Sequence, residues 1–219
     1  MTMNKNFSTT NLAVRRSDRK IFENLSFDVT AGTLLKIIGP NGSGKSTLLK
    51  TLTGLIEPLE GDIKADSQSV LMDREWPSLN LCYLGHKNAL KREFSVFENI
   101  KFWAELWGTS DEIDASIHAM GIDYLRDTPV RYLSSGQTRR AALARSMCHP
   151  ASIWLFDEPT VGLDEKGLSL LASAMENHLE KGGIILCATH VDLGLNKELI
   201  STLNLADFSS NLNTQERQF

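Results

Sequence analysis

The chain has 219 residues, 42% of them hydrophobic and 23% charged, with a net charge of −4. That length and apolar fraction suit one large domain or two small ones with a packed core, and the acidic balance gives no support to a nucleic-acid partner held on a basic surface. Cys82, Cys148 and Cys187 are far apart and form no C-x-x-C pair, so neither a disulfide framework nor a zinc site is expected and the chain reads as cytosolic.

Residues 1 to 20 lack the apolar centre of a signal peptide, and no run approaches the ~18 apolar residues of a membrane span, so membrane contact is expected only through partners. Phe7 to Val14 and Leu25 to Val29 mix β-branched and apolar residues at strand spacing, with Arg16, Ser17 and Asp18 in the polar loop between them. This predicts a β-hairpin. Leu34 to Ile38 predicts a buried strand that runs into Gly39, Pro40, Asn41, Gly42, Ser43, Gly44, Lys45, Ser46 and Thr47, then into a helix start at Leu48 and Leu49. The spacing is G-x-x-x-x-G-K-[ST], a phosphate-binding loop between strand and helix. Gly39, Gly42 and Gly44 allow positive φ and let backbone N–H groups approach phosphate oxygens. A helix beginning near Gly44 adds open N–H groups and about half a positive charge. Lys45 can reach the β- and γ-phosphates, and the Ser46 hydroxyl is placed to ligate magnesium.

Gly54 and Pro58-Leu59-Glu60-Gly61 end that helix, Asp62 to Val70 predicts a strand, and Leu79 to Leu84 predicts a short buried one stopping at Gly85-His86. From about Ala89 to Cys148 the strand pattern gives way to amphipathic stretches, Val96 to Trp107 and Asp111 to Met120, which predict a helical subdomain over 89–149. Phe97, Ile100, Phe102, Trp103, Leu106 and Trp107 are read as core, with partner docking as the alternative. Ser134-Ser135-Gly136-Gln137 opens a helix over Thr138 to Met147, a second place where N–H groups and hydroxyls can meet an anion. By itself such a turn usually only caps a helix.

Ile153 to Phe156 is an apolar run of buried-strand type closed by Asp157-Glu158-Pro159. Adjacent carboxylates at the end of a buried strand are costly unless a cation uses them. Beside a phosphate-binding loop that cation is magnesium, approached by Asp157 through water, with Glu158 placed to orient or deprotonate the attacking water. Ile184 to Ala188 predicts another buried strand, which delivers His190 to the carboxyl edge where ligands gather in open α/β sheets. Beyond Phe208 the sequence turns polar, predicting a loose tail over 209–219.

In this order the motifs resemble those of ABC-transporter ATP-binding subunits over nearly the whole chain. Residues 39–47 resemble Walker A, 133–137 the family signature, 153–158 Walker B and Val161-Gly162-Leu163-Asp164 the D-loop, while His190 falls at the switch histidine. The resemblance implies an α/β fold, a P-loop NTPase core of ABC type, with a mixed sheet flanked by helices, an N-terminal antiparallel β-subdomain and an inserted α-helical subdomain. It implies one domain over 1–219, in which 1–88 and 150–208 form the ATP-binding core and 89–149 the helical part with the signature. It further implies ATP and Mg2+, hydrolysis with Glu158 as base and His190 on the γ-phosphate, and a head-to-tail homodimer. In that dimer each ATP lies between the phosphate loop of one subunit and Ser134, Ser135, Gly136 and Gln137 of the other.

Tyr83-Leu84-Gly85-His86 stands where most such subunits carry a glutamine loop, and with Leu90-Lys91 and Glu98-Asn99-Ile100 it resembles the haem-exporter ATP-binding subunits of the CcmA family. Trp154 and the stretch from Leu133 to Arg140 fit as well. This narrower resemblance implies membrane-spanning partners of the CcmB and CcmC type, a peripheral position on the cytoplasmic face of the inner membrane, and hydrolysis coupled to haem export or haem-chaperone release. Ser135 departs from the wider family's glycine, and Ala89 stands where a glycine is expected. Arg15 or Arg16 replaces an adenine-stacking aromatic, and Arg16 is expected to take that place because an arginine plane can stack on a base. His86 is a poor direct magnesium ligand, so a contact through water or to the membrane partner is expected. An exporter of a drug or lipid, and a soluble ABC ATPase acting on nucleic acid or ribosomes, are the alternative readings.

Overall fold

The computed structural model describes residues 5–16 and 19–208. Ser17 and Asp18 of the first predicted turn and the predicted tail over 209–219 lie outside the described residues. The N-terminal pattern forms β1 (Asn6–Arg16) and β2 (Arg19–Thr30), antiparallel from Asn6↔Thr30 to Arg16↔Arg19. Register shifts around Leu12 and Val14 mark bulges, which bend and twist a ribbon. Phe7, Leu12, Val14, Phe22, Leu25 and Val29 pack into one core. β4 (Glu60–Ala65) pairs with β1, and β5 (Gln68–Ser69) with β4, giving a sheet in the order β2-β1-β4-β5. The strand predicted over Asp62 to Val70 is therefore a hairpin. Asp66 and Ser67 have φ of 48° and 68°, the two-residue turn whose twist suits paired strands. Asp66 Oδ1 accepts from the backbone N–H groups of Lys5 and Asn6, a contact across some 60 residues.

The second sheet has five parallel strands, β3 (Leu34–Ile38), β6 (Leu81–Leu84), β7 (Ile153–Asp157), β8 (Ile184–Ala188) and β9 (Ile200–Asn204), in the order β6-β7-β8-β3-β9. Parallel and antiparallel strands are thus separated within the expected α/β fold. Leu35, Ile37, Ile153, Leu155, Ile184 and Leu186 share a core with the antiparallel sheet and with α1 (Lys45–Leu52). Leu34, Trp154, Phe156, Ile185 and Cys187 share the other core with the later helices. Both faces are covered, which is why these strands read as unbroken apolar runs. Sequence reading misses β9: of its residues only Leu203 is buried, the pattern of an edge strand.

A short α2 (Trp76–Asn80) precedes β6. The helical part holds α3 (Val96–Trp107), α4 (Ile113–Ala119) and α5 (Ser135–Met147), and α6 (Glu165–Glu180) follows β7. A reciprocal capping box starts α3, with Ser95 Oγ accepting from Glu98 N and Glu98 Oε2 from Ser95 N, and Gly108 ends it at φ 72°. Of the six apolar residues read as core, only Ile100 is fully buried, while Phe102 and Leu106 are 59% and 68% exposed. The buried stripe is Val96, Ile100 and Ala104, spaced four apart, and one helix face cannot bury the aromatic excess. Among the described residues no helix is long and apolar enough to cross a membrane.

On α6, His178 stacks on Trp154 at 3.9 Å, and its Nε2 lies 3.1 Å from Ser152 O. Burial lowers its pKa to about 4. The folded state therefore holds the neutral ring, so the stability it contributes is present above the unfolded value near 6.5 and is lost as pH falls toward 4. Between pH 7 and 5 this group is expected to remove about 2 kcal/mol. Urea unfolding at each pH reads the loss, and His178→Gln is expected to make the curve shallower by that amount, the rest of the slope coming from His149, which burial also lowers to about 4. An unchanged slope in the variant would assign the loss to other groups.

Candidate active site

Where β3 ends, the chain enters a loop with φ of 148° at Gly39, 82° at Gly42 and 104° at Gly44. A Cβ on Gly44 would run into Ile21 Cγ2 of β2, so both the backbone conformation and the close approach demand glycine there. Gly44 caps α1 without any side-chain bond, and no acidic residue occupies the first turn. Its N–H groups stay open to an anion. Ser43 Oγ is buried with no partner among the described residues, a hydroxyl that a phosphate oxygen would satisfy.

Lys45 is buried, and its Nζ donates to Gly39 O at 2.6 Å and Pro40 O at 3.3 Å while standing 3.2 Å from His190 Nε2. An ammonium can only donate, so Nε2 faces it as the acceptor. β8, hydrogen-bonded to β3, carries His190 to this lysine. On the other side of β8, β7 ends in Asp157, which is 3% exposed. Glu158 follows with φ 48°, a left-handed conformation rare outside glycine. Its N–H donates to Ala188 O at 2.8 Å, and its carbonyl accepts from Arg139 Nη2 at 2.9 Å.

A cavity of about 330 Å³ gathers these groups: Asn41, Gly42, Gly44, Lys45, Ser46 and Thr47 from the loop and α1, Arg16 and Ile21 from the first hairpin, Asp157 and Glu158 from the end of β7. Two cations, Arg16 and Lys45, with open N–H groups and hydroxyls, share it with two carboxylates. Ser46 and Asp157 offer hard oxygen ligands of the kind magnesium takes, and the described residues contain no group of three His, Cys, Asp or Glu that could hold a metal. A metal here would rest largely on substrate oxygens and water. A larger cavity of about 550 Å³ lies between the C-terminal end of α1 and residues 70–77, without this convergence of phosphate-binding groups.

Arg16, and not Arg15, lines the smaller cavity. The turn Ser134 to Gln137 does not. It caps α5, with Ser134 Oγ accepting from Gln137 N at 3.2 Å and Gln137 Oε1 from Ser134 N at 2.8 Å. Ser135 is exposed. Gly136 packs so closely on the loop after β7 that a Cβ would lie 2.5 Å from Gly162 O. Asp164, ending that loop, caps α6 by accepting from Gly167 N at 2.8 Å. His86 is exposed on the loop after β6 and lies outside the cavity, whereas Gly85 and Asn88 of that loop turn inward to Arg139. Sequence reading passes over Arg139. One arginine in an Ala-rich helix carries no local sign that it is 3% exposed. Burial lowers its pKa, opposed by the nearby Asp157.

The family model for ABC transporters matches residues 22–161, which span both the phosphate loop and the end of β7. The chain belongs to the ABC transporter family. Among its relatives, the cytochrome c biogenesis ATP-binding export protein CcmA of Rhizobium etli is 44% identical over 84% of this chain and 88% of its own length. The proteins of the same name from Agrobacterium fabrum and Vibrio vulnificus are 41% and 36% identical, over 85% and 90% of this chain and 90% and 98% of theirs. Among solved structures, a putative ABC transporter ATP-binding protein from Pyrococcus furiosus superimposes with a TM-score of 0.80 at 25% identity, covering 94% of this chain and all of that one. As an ABC ATPase domain the chain binds nucleotide. Its sheet order puts loop, carboxylates and His190 along one edge.

Proposed function

We propose that the chain is the ATP-hydrolysing subunit of an ABC complex, peripheral on the cytoplasmic face of the inner membrane, that couples hydrolysis to haem export or haem-chaperone release in c-type cytochrome biogenesis. The observation that carries this reading is a likeness of 36–44% identity to CcmA proteins over most of a chain whose Lys45, Asp157 and Glu158 line one cavity. Lys45 and the first-turn N–H groups of α1 bind and orient the β- and γ-phosphates, and Arg16 stacks on the adenine. Ser46, and Asp157 through water, would hold magnesium, which when bound neutralises charge on the β and γ oxygens. Glu158 takes a proton from the attacking water. His190, whose Nε2 faces Lys45, contacts the γ-phosphate end.

Ser134 to Gln137 lie outside their own chain's cavity, which supports a head-to-tail homodimer in which the turn of one copy, with Asp164 beside it, closes over the phosphates of the other. The exposed His86 suits a contact with membrane-spanning subunits of the CcmB and CcmC type better than a place on the metal. Covalent-haem staining tests the biological reading. Cells whose only copy carries Glu158→Gln are expected to lose their c-type cytochrome bands at normal abundance of the protein. Normal bands would overturn the cytochrome role and direct the search to another exported cargo, such as a drug or lipid.

A further inference from the structure

The guanidinium of Arg139 uses every N–H it has. Nε donates to Pro159 O at 3.1 Å, Nη1 to Gly85 O at 3.0 Å and Asn88 Oδ1 at 2.9 Å, and Nη2 to Asp157 O at 3.0 Å and Glu158 O at 2.9 Å. An arginine has five donors in a planar fork, and here none is left over. The acceptors belong to two segments far apart in sequence, the end of β7 and the loop after β6, while Arg139 itself sits in the second turn of α5. Burying a cation is costly, and a well-packed apolar side chain would staple the same elements as well or better. What an apolar residue cannot do is fix the peptide planes of Asp157 and Glu158.

Those planes matter because Glu158 is held at φ 48°. Left-handed backbone at a residue with a Cβ is strained and persists where surrounding contacts over-determine it. Ala188 O takes the N–H of Glu158 and Arg139 takes its C=O, so the residue is gripped on both sides. The loop is fastened by the same helix twice, since Arg145 Nη1 also donates to Ala89 O at 2.7 Å. Between these anchors His86 and Lys87 stand exposed.

We infer that Arg139 is a positioning residue that holds the Glu158 carboxylate in its working direction and ties that direction to the loop at 85–88. The inference rests on the reading of Glu158 as the base. A pull on the exposed His86–Lys87 arch reaches Glu158 through one guanidinium, because Nη1 and Nη2 belong to the same rigid plane.

The test uses the complex purified from membranes with its partners, with kcat expressed per nucleotide-binding site counted by fluorescent-ATP titration. Arg139→Gln is expected to lower kcat at least tenfold while the KM for ATP stays within twofold. Arg139→Lys, which keeps charge but not the fork, is expected to recover only part of the loss, and Asn88→Ala, which frees one loop bond, to lower kcat a few fold. A wild-type kcat in Arg139→Gln beside an inactive Glu158→Gln would overturn the inference. An active Glu158→Gln would instead overturn the reading beneath it. Should Arg139→Gln not accumulate folded, Arg139→Lys decides, and a wild-type kcat in that variant overturns the inference.

Discussion

Glu158→Gln is expected to lower ATP turnover by about 10²- to 10⁴-fold, the span usual for loss of a general base, while ATP affinity changes less than threefold. The substitution keeps the side chain's size and leaves the backbone grip intact, because Arg139 and Ala188 bond the main chain of residue 158 and not its carboxylate. Only the capacity to accept the water's proton is removed. Binding is held by other groups: the open first turn of α1, Lys45 and the hydroxyls. If the proposed head-to-tail homodimer closes on ATP, a variant that binds and does not turn over should accumulate as that dimer, and sedimentation with ATP and magnesium is expected to show more of it than for the wild type. Turnover above a third of wild type would sink the assignment of Glu158 and point instead to His190, whose ring nitrogen faces the lysine at the same edge.

Lys45→Ala is expected to weaken ATP binding by about 30- to 1,000-fold. A single cation a few ångströms from a phosphate is worth about 4 kcal/mol at the effective dielectric of such sites, and loosening the bonds of Nζ to Gly39 O and Pro40 O takes back part of it. Each 1.4 kcal/mol is tenfold in affinity. AMP, which lacks the phosphates the ammonium reaches, should bind the variant and the wild type alike. Its fold should survive, since Lys45 donates only to the loop carbonyls of Gly39 and Pro40 and to His190 Nε2, all of which water can satisfy. Measured beside it, Arg16→Ala is expected to cost about 2- to 30-fold, for ATP and GTP equally, because stacking reads the face of a base and not its edge. Unaltered ATP affinity in Lys45→Ala would remove the triphosphate reading of the cavity. Unaltered affinity in Arg16→Ala would remove only the stacking.

Much of the site was legible because its parts are local. A glycine-rich loop binds anions through its own backbone, and the residues that permit it lie within 39–47. The runs Leu34–Ile38, Ile153–Phe156 and Ile184–Ala188 announce strands buried on both faces, and the carboxylates and His190 follow at their ends. The α3 limits, Val96 to Trp107, were legible from the amphipathic pattern, and the structure adds the local caps that set them, the pair Ser95 and Glu98 and the stop at Gly108. The sequence by itself thus determined the family, the phosphate loop and the order of the motifs. Tertiary structure alone decided the rest. Asp66 ties the β4–β5 turn to the start of β1 by accepting from Lys5 and Asn6, Ile200–Asn204 becomes a strand by pairing with β3, and the α3 aromatics divide between core and surface according to what packs on them. Above all, the left-handed Glu158 and the fully bonded Arg139 depend on partners 18 to 54 residues from that arginine. Periodicity and spacing report what a residue does to its near neighbours. A hydrogen bond between remote segments leaves no local trace, because its energy appears only once the chain has brought both ends together.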